Sequence, residues 1–447
     1  MSDPVRERLV AAGLDDREAG RKSRLFFLAS RTLERMRKEG EAETTLWYVP
    51  GRVEVLGKHT DYAGGPSLLA AAERGFCLAA STRSDSEVRI VDVGMGLESR
   101  FSLPGGGDPP AGDWEIYPRT VARRIARNFP GPLRGVDMAF ASDLPPSAGM
   151  SSSSAFVVAV FSVLADANRL DGHPAYRGAI RGLEDLAGYL GSVENGAPFG
   201  TLSGDRGVGT FGGSEDHTAI LCCRPGLLAL YRYNPVRHEK SLPMPAGCRF
   251  VIGVSGIEAR KAGAAREQYN RASLSAAAIL EAWHASGGGS EPTLLDATAS
   301  SPDAPERIRE ALRRVAPGRF TSAMLLERFE QFLEETRRVI PAAMEALARS
   351  DLAALGEAVD RSQRAAERFL GNQVPETIDL ARSARALGAR AASAFGGGYG
   401  GSVWALVDSG DAGAFCSAWE SVYHRRFPEA RGDEFFITGA GPGRLRL

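Results

Sequence analysis

Arginine, lysine, histidine and aspartate crowd into one glycine-punctuated segment, Gly51-Arg52-Val53-Glu54-Val55-Leu56-Gly57-Lys58-His59-Thr60-Asp61-Tyr62-Ala63-Gly64-Gly65. Donors from Arg52, Lys58 and His59 beside the acceptor Asp61 suit a ligand with several hydroxyl groups, and Val53, Val55 and Leu56 give the segment an apolar anchor. Taken alone, the same residues describe a charged loop between strands. Two further segments tip the balance toward a binding site. The first, Ser142-Asp143-Leu144-Pro145-Pro146-Ser147-Ala148-Gly149-Met150-Ser151-Ser152-Ser153-Ser154-Ala155, ends a strand and opens an apolar helix. Such a turn presents unpaired N–H groups and hydroxyls at the positive end of a helix, which suits an anion. A serine cap accounts for one serine, not for four in succession. No Gly-Lys-Ser/Thr ending follows, so a Walker loop is excluded. The second, Phe395-Gly396-Gly397-Gly398-Tyr399-Gly400-Gly401-Ser402, precedes an apolar strand. So many glycines, each costly in backbone entropy, fit only where the chain approaches another chain or a ligand closely. Another stretch, Gly212-Gly213-Ser214-Glu215-Asp216-His217, reads alone as a solvated acidic bend.

These groups need elements to hold them. Apolar spacing predicts a helix over 16–38, then strands at 46–49, 51–56, 68–72, 76–80 and 88–91. A loop at 105–112, a helix at 115–128 and an alternating strand at 135–141 lead to the serine segment, whose helix covers 156–168. The run 218–223, after the acidic bend, reads as a strand. Beyond Pro235 a strand at 249–254 gives way to Ala-, Glu- and Arg-rich helices as far as residue 366, with loops at 287–292 and 300–305 and a strand at 403–407. This division gives a helical extension, 1–43, a first domain, 44–234, and a second, 235–447.

A chain of 447 residues exceeds one simple core. Its 54 basic and 55 acidic residues leave a formal net charge of -1, so there is no electrostatic footprint for nucleic acid or an anionic membrane. With no apolar leader and no stretch of membrane-spanning length, the expectation is a soluble cytoplasmic protein, monomeric or a weak homodimer. The five cysteines lack paired spacing and read as reduced core residues.

In chain order these segments resemble the GHMP family of small-molecule kinases, and within it the galactokinases. The galactokinase signature runs Gly-Arg-Val-Asn-Leu-Ile-Gly-Glu-His-Thr-Asp-Tyr-Asn, and this chain matches it at most positions from Gly51 to Tyr62. The serine segment is similar to the family's phosphate loop, Pro-x-Gly-x-Gly-Leu-Ser-Ser-Ser, with Ser147 and Ala148 where glycines are usual. The third segment looks like the family's C-terminal glycine motif, in which Gly397, Gly398 and Gly400 are structural. The resemblance runs from about residue 44 to the C-terminus. It implies an α+β, two-domain GHMP kinase fold. The N-terminal domain would be like ribosomal protein S5 domain 2, with a left-handed βαβ unit, and the C-terminal domain ferredoxin-like α+β, with the site in the cleft between them.

The resemblance also implies roles. Asp216 is the general base and Arg52 its partner, while His217 stands where glutamine is common. His59, Asp61 and Gly213 face the sugar, and Lys58 occupies the place of the family's sugar-binding glutamate. Ser147, Gly149, Ser151, Ser152, Ser153 and Ser154 meet the phosphates of ATP. Mg²⁺ is held by Ser152 or Ser153 together with Glu194, with Glu184 a competitor. The loop 198–209 exceeds the usual pattern and is a candidate lid. Arg266 aligns near the family's substrate-facing tyrosine, with Tyr269 three residues on.

The expected reaction is ATP-dependent phosphorylation of the C1 hydroxyl of a hexose, galactose first. Lys58 opens an alternative, because an ammonium cannot accept a hydrogen bond from a 6-hydroxyl but pairs with a carboxylate at C6, as in galacturonate. If Lys58 turns to solvent, galactose stands. A sugar-sensing regulator without turnover is the other alternative, and the serine loop, Arg52 and Asp216 argue against it. A non-sugar alcohol such as homoserine or mevalonate is disfavoured by His59-Thr60-Asp61-Tyr62.

Overall fold

The computed structural model describes residues 3–37, 43–103, 114–257, 263–316 and 318–447, and the loop expected at 105–112 lies outside them. Two sheets carry the α+β fold. The first comprises β1 (Thr45–Leu56), β2 (Ser67–Thr82), β3 (Glu87–Asp92), β4 (Leu97–Ser102), β5 (Val136–Ser142), β6 (Leu227–Arg232) and β7 (Arg237–Pro243). Of the later strands, β8 (Cys248–Val254), β9 (Ala391–Ala394), β10 (Ser402–Asp408) and β11 (Glu434–Thr438) form the second sheet, and β12 (Leu445–Arg446) returns to the first. The first sheet runs β12-β1-β2-β5-β3-β4, with the β6–β7 hairpin attached to β2, and among the described residues only β3 and β5 pair in parallel. The second is antiparallel in the order β11-β8-β10-β9.

Alternation along the strands explains both faces of the first sheet. Val49, Val53, Leu68, Leu78 and Met138 face the helix Ser152–Ala167, which is apolar all round and therefore buried. Tyr48, Cys77, Ala79 and Ala139 face Phe26, Ala29 and Leu33 of the N-terminal helix Asp16–Met36. The second sheet turns Val251, Val403 and Ala405 toward Leu380, Trp419 and Tyr423, and Phe250, Ile252 and Trp404 toward the main core.

Several expectations need correction. The runs 68–72 and 76–80 form one strand, because the charges between them are satisfied in place: Arg74 pairs with Glu434 at 2.7 Å, and Glu73 accepts from Arg249 at 2.8 Å and from the Gly439 N–H at 2.6 Å. Likewise 46–49 and 51–56 fuse into β1 across a bulge between Pro50 and Arg52. The run 218–223 is helical as far as Cys222, in the helix Glu215–Cys222; a short apolar run does not declare its period, and packing between the sheet and the helix Leu183–Asn195 decides it. A division at Pro235 would cut the β6–β7 hairpin, so the first sheet reaches Pro243. Among the described residues no helix is long and apolar enough to cross a membrane, and all five cysteines are unbridged.

Candidate active site

A cleft of about 1300 Å³ is lined by residues from β1, the serine loop, the acidic turn and the glycine segment. Gly51 brings the first two together: a Cβ there would lie 2.5 Å from Leu144 Cδ2 and 2.8 Å from Met150 O. The Arg52 N–H donates to Met150 O at 3.2 Å. Beyond the bulge, Arg52 reaches into the cleft, where Nε donates to Asp216 Oδ1 at 2.8 Å and Nη1 to Gly149 O at 2.6 Å.

Carboxylates surround this guanidinium. Glu54 Oε2 lies at 3.5 Å and Glu215 Oε1 at 4.0 Å. Burial opposes the charge on Arg52, but Asp216, Glu54 and Glu215 outweigh it and hold the group still more firmly protonated. Asp61 moves the other way: burial, with the charges of Asp216 and Glu54 behind it, pushes its carboxyl up to about 6, against N–H donors from Glu215 and Tyr62. Burial also drives Glu215 well above the carboxylate range, as do Glu54 and Asp61. Asp216 is the most accessible of the carboxylates around Arg52, 16% exposed against 4% for Glu54 and 7% for Glu215, and so the one most open to a reacting group. It sits in the first turn of its helix, where a carboxylate is favoured by the helix dipole.

The turn after β1 is gripped from the far side. The Gly57 N–H donates to Glu335 Oε1 at 2.8 Å, Gln331 Nε2 to Lys58 O at 3.0 Å and Arg328 Nη2 to His59 O at 2.5 Å. These partners come from the helix Ser322–Glu334 and the π-helical turn Glu335–Val339, which sequence reasoning did not connect to the site. Inside the turn, His59 and Asp61 line the cleft, with Tyr269 packed on His59 at 5.9 Å between centroids. Tyr269, not Arg266, is thus the described residue at this wall; the Arg266 side chain lies outside the described ones. Gly213 closes on Asp61, since a Cβ there would lie 2.2 Å from Asp61 Oδ2.

Lys58 follows neither reading made from sequence. It is fully buried, faces away from the cleft and donates to Ser362 Oγ at 2.9 Å and Ser393 Oγ at 2.7 Å. Ser362 in turn donates to Glu335 Oε2 at 2.8 Å. The ammonium is a strut between the turn and the C-terminal half of the chain. It meets neither the cleft nor solvent, because Ser362 and Ser393 give the buried cation its acceptors and Ser362 links it to Glu335.

The serine loop ends at a helix without a side-chain cap, and the buried Ser151 Oγ has no hydrogen-bond partner. Uncapped N–H groups and an idle hydroxyl beside the cleft suit a phosphate. Ser147, Gly149, Ser152, Ser153 and Ser154 line the same wall. The serine that reaches Glu194 is Ser154, whose Oγ donates to Glu194 Oε2 at 2.8 Å and to Asp216 Oδ2 at 3.3 Å. The resemblance places Ser154 with the phosphates and Ser152 or Ser153 with the metal, whereas the structure brings Ser154 to Glu194. Glu184 is exposed at the opposite end of the helix that ends beside Glu194. His217 Nε2 stands 3.2 Å from Glu194 Oε2. The loop 198–209 is a wall more than a lid: Val208 N–H donates to Glu194 O at 2.8 Å, and Arg123 pairs with Asp205 at 2.8 Å. In the glycine segment, Gly397 lines the cleft, while Gly398 and Gly400 pass within 2.3 Å and 2.4 Å, measured from a built Cβ, of Asn372 O and Ile257 O.

Three family patterns map onto this arrangement. A galactokinase galactose-binding signature matches residues 36–82, the GHMP kinases N-terminal domain residues 117–197 and the GHMP kinases C-terminal domain residues 343–425. The chain belongs to the GHMP kinase family. Its similarity extends to proteins named galactokinase: 29% identity to that of Chloroflexus aurantiacus, over 86% of this chain and 89% of the relative, and 27% to that of Streptomyces coelicolor, over 87% and 92%. Among solved structures, Lactococcus lactis galactokinase complexed with galactose superposes with a TM-score of 0.76 at 20% identity, covering 94% of this chain and 99% of the other. Methanococcus jannaschii mevalonate kinase shares the fold at a TM-score of 0.54 and 14% identity, covering 90% and 99%. For this GHMP kinase the two-domain α+β expectation therefore holds.

Proposed function

We propose that this GHMP kinase transfers the γ-phosphoryl group of ATP to the C1 hydroxyl of galactose. The observation that carries the reading is the Arg52–Asp216 pair, 2.8 Å apart, between a hydroxyl-reading turn and an uncapped helix N-terminus. His59, Asp61 and the backbone at Gly213 would fix the ring so that its C1 hydroxyl meets Asp216. As the hydroxyl oxygen bonds to the γ-phosphorus and the bond to the β–γ bridging oxygen breaks, Asp216 takes the hydroxyl proton and ADP leaves. Arg52 restrains the Asp216 carboxylate and offsets charge spreading over the transferred group.

Ser154 and Glu194 would hold Mg²⁺. Their hydroxyl and carboxylate oxygens are hard donors on the serine-loop wall of the cleft. Bound there, the ion would offset the negative charge of the phosphoryl groups during transfer. Phe76, Phe140, Phe156 and Trp114 form an aromatic end of the cleft able to receive the nucleotide base. ADP release with galactose tests the reading. Asp216→Asn should lower kcat by about 10² to 10⁴ while leaving the galactose KM near its original value. Turnover unaffected by that change would remove Asp216 from the base role.

A further inference from the structure

A second cavity, about 270 Å³, shares its wall with the cleft: His59 and Tyr399 line both. Its cations stand out against its acids. Arg271, Arg328 and Arg368 line it, and Glu327 is its one carboxylate among the described lining residues. No carboxylate lies within 4.0 Å of the three guanidiniums among the described residues. Arg328 bonds Gln331 Oε1, His59 O and Tyr62 OH; Arg271 bonds Met324 Sδ; Arg368 lies 4.9 Å from the centroid of Phe369. Arg328 is only 3% exposed, and its Nε is buried without a hydrogen-bond partner. A guanidinium taken out of water with an idle donor and no counter-charge is costly unless an anion completes it. Elsewhere in this chain buried arginines such as Arg52 and Arg83 have carboxylate partners, at 2.8 Å and 3.0 Å.

We propose that this cavity is an anion subsite that takes a carboxylate or phosphate monoester group, carried either by the sugar in the adjoining cleft or by a separate small molecule. The buried Arg328 sets the floor, and the exposed Arg271 and Arg368 close over the anion from the rim. Because Arg328 also holds the carbonyl of His59, occupancy is felt by the sugar-reading turn. Anion binding stands independently of the galactose reading; its effect on galactose rests on it.

The test uses the full chain with Mg²⁺ and a saturating non-hydrolysable ATP analogue, so that added anions cannot occupy the serine loop. Calorimetric titration with inorganic phosphate and with galacturonate is compared between the wild type and Arg271→Gln/Arg368→Gln, two surface changes whose folding a thermal melt verifies. The expected result is binding of at least one probe that weakens about tenfold or more in the double variant. Arg328→Lys, which keeps the charge but loses Nε, should also weaken it. Steady-state kinetics then separate the sources. Turnover of galacturonate that is lost in the double variant marks a sugar-borne anion, whereas phosphate that shifts the galactose KM in the wild type only marks a separate one. Binding equal in wild type and double variant, or absent for both probes, overturns the proposal. Loss of galactose turnover with anion binding intact would instead count against the kinase reading.

Discussion

Asp61 carries a measurable conflict between stability and binding. Its carboxyl is displaced from 3.8 to about 6, chiefly by burial. A carboxyl whose folded value lies above its unfolded value binds its proton more tightly when folded, so the folded state carries no penalty below about pH 4 and an increasing one as pH rises through about 6. Two units correspond to about 3 kcal/mol at full ionisation. Asp61→Asn removes that penalty but misorients one of the acceptors serving the Glu215 and Tyr62 N–H groups, a loss of about 1 kcal/mol. The ligand-free variant should therefore be more stable than wild type by about 2 kcal/mol at about pH 8, and the difference should shrink by about 1.5 kcal/mol on going to about pH 5. Urea denaturation of both proteins across that range reads the difference directly. Galactose supplies a second readout, because hydroxyl donors need the ionised carboxylate: the wild-type KM should climb below about pH 6, approaching tenfold per unit, and the variant should bind weakly at every pH. A stability difference that stays flat with pH would refute the assignment of a raised carboxyl at this position.

Three further outcomes follow from packing. Lys58→Glu places a carboxylate beside Ser362 and Glu335 with no cation between them, so it should destabilise the fold by about 3–5 kcal/mol in denaturant melts; a stable variant with a new sugar preference would restore Lys58 to the substrate. Gly213→Ala drives a methyl group to 2.2 Å from Asp61 Oδ2, and the galactose KM should rise about tenfold or more with kcat less affected. Arg52→Lys keeps a cation near Asp216 but gives up the fork that also holds Gly149 O, and kcat should fall by about 10² in an ADP-release assay.

What the sequence disclosed divides along chain distance. The serine loop and the glycine segment were legible because each does its work with contiguous residues: a helix start needs only its own N–H groups, and a close approach only its own missing side chains; the acidic turn was not, since Asp216 takes its partner Arg52 from 164 positions away. Element edges were blurred where charge was compensated from afar, as at Glu73 and Arg74, whose partners Arg249 and Glu434 lie 176 and 360 positions away. The helix Glu215–Cys222 was misread as a strand for the same reason, since only its neighbours fix the period of so short an apolar run. Ser154 was separated from Glu194 in the reading because adjacent residues on a helix point about 100° apart, so four serines in succession cannot share one target, and which of them faces a carboxylate 40 positions on is set by helix phase.

Lys58 is the sharpest case. Its place in the signature argued for a sugar contact, yet the turn is oriented by groups 273 and 304 positions away, Gln331 and Ser362, that no local pattern exposes. The carboxylate that balances it is Glu335, reached through Ser362 and bonded in its own right to the Gly57 N–H. A cation at position 58 is therefore accommodated by an opposite charge on the C-terminal side. The pair acts through position, and any recognition of a substrate's charge must come from cations that open to a cavity, of which Arg328 is the buried example beside His59.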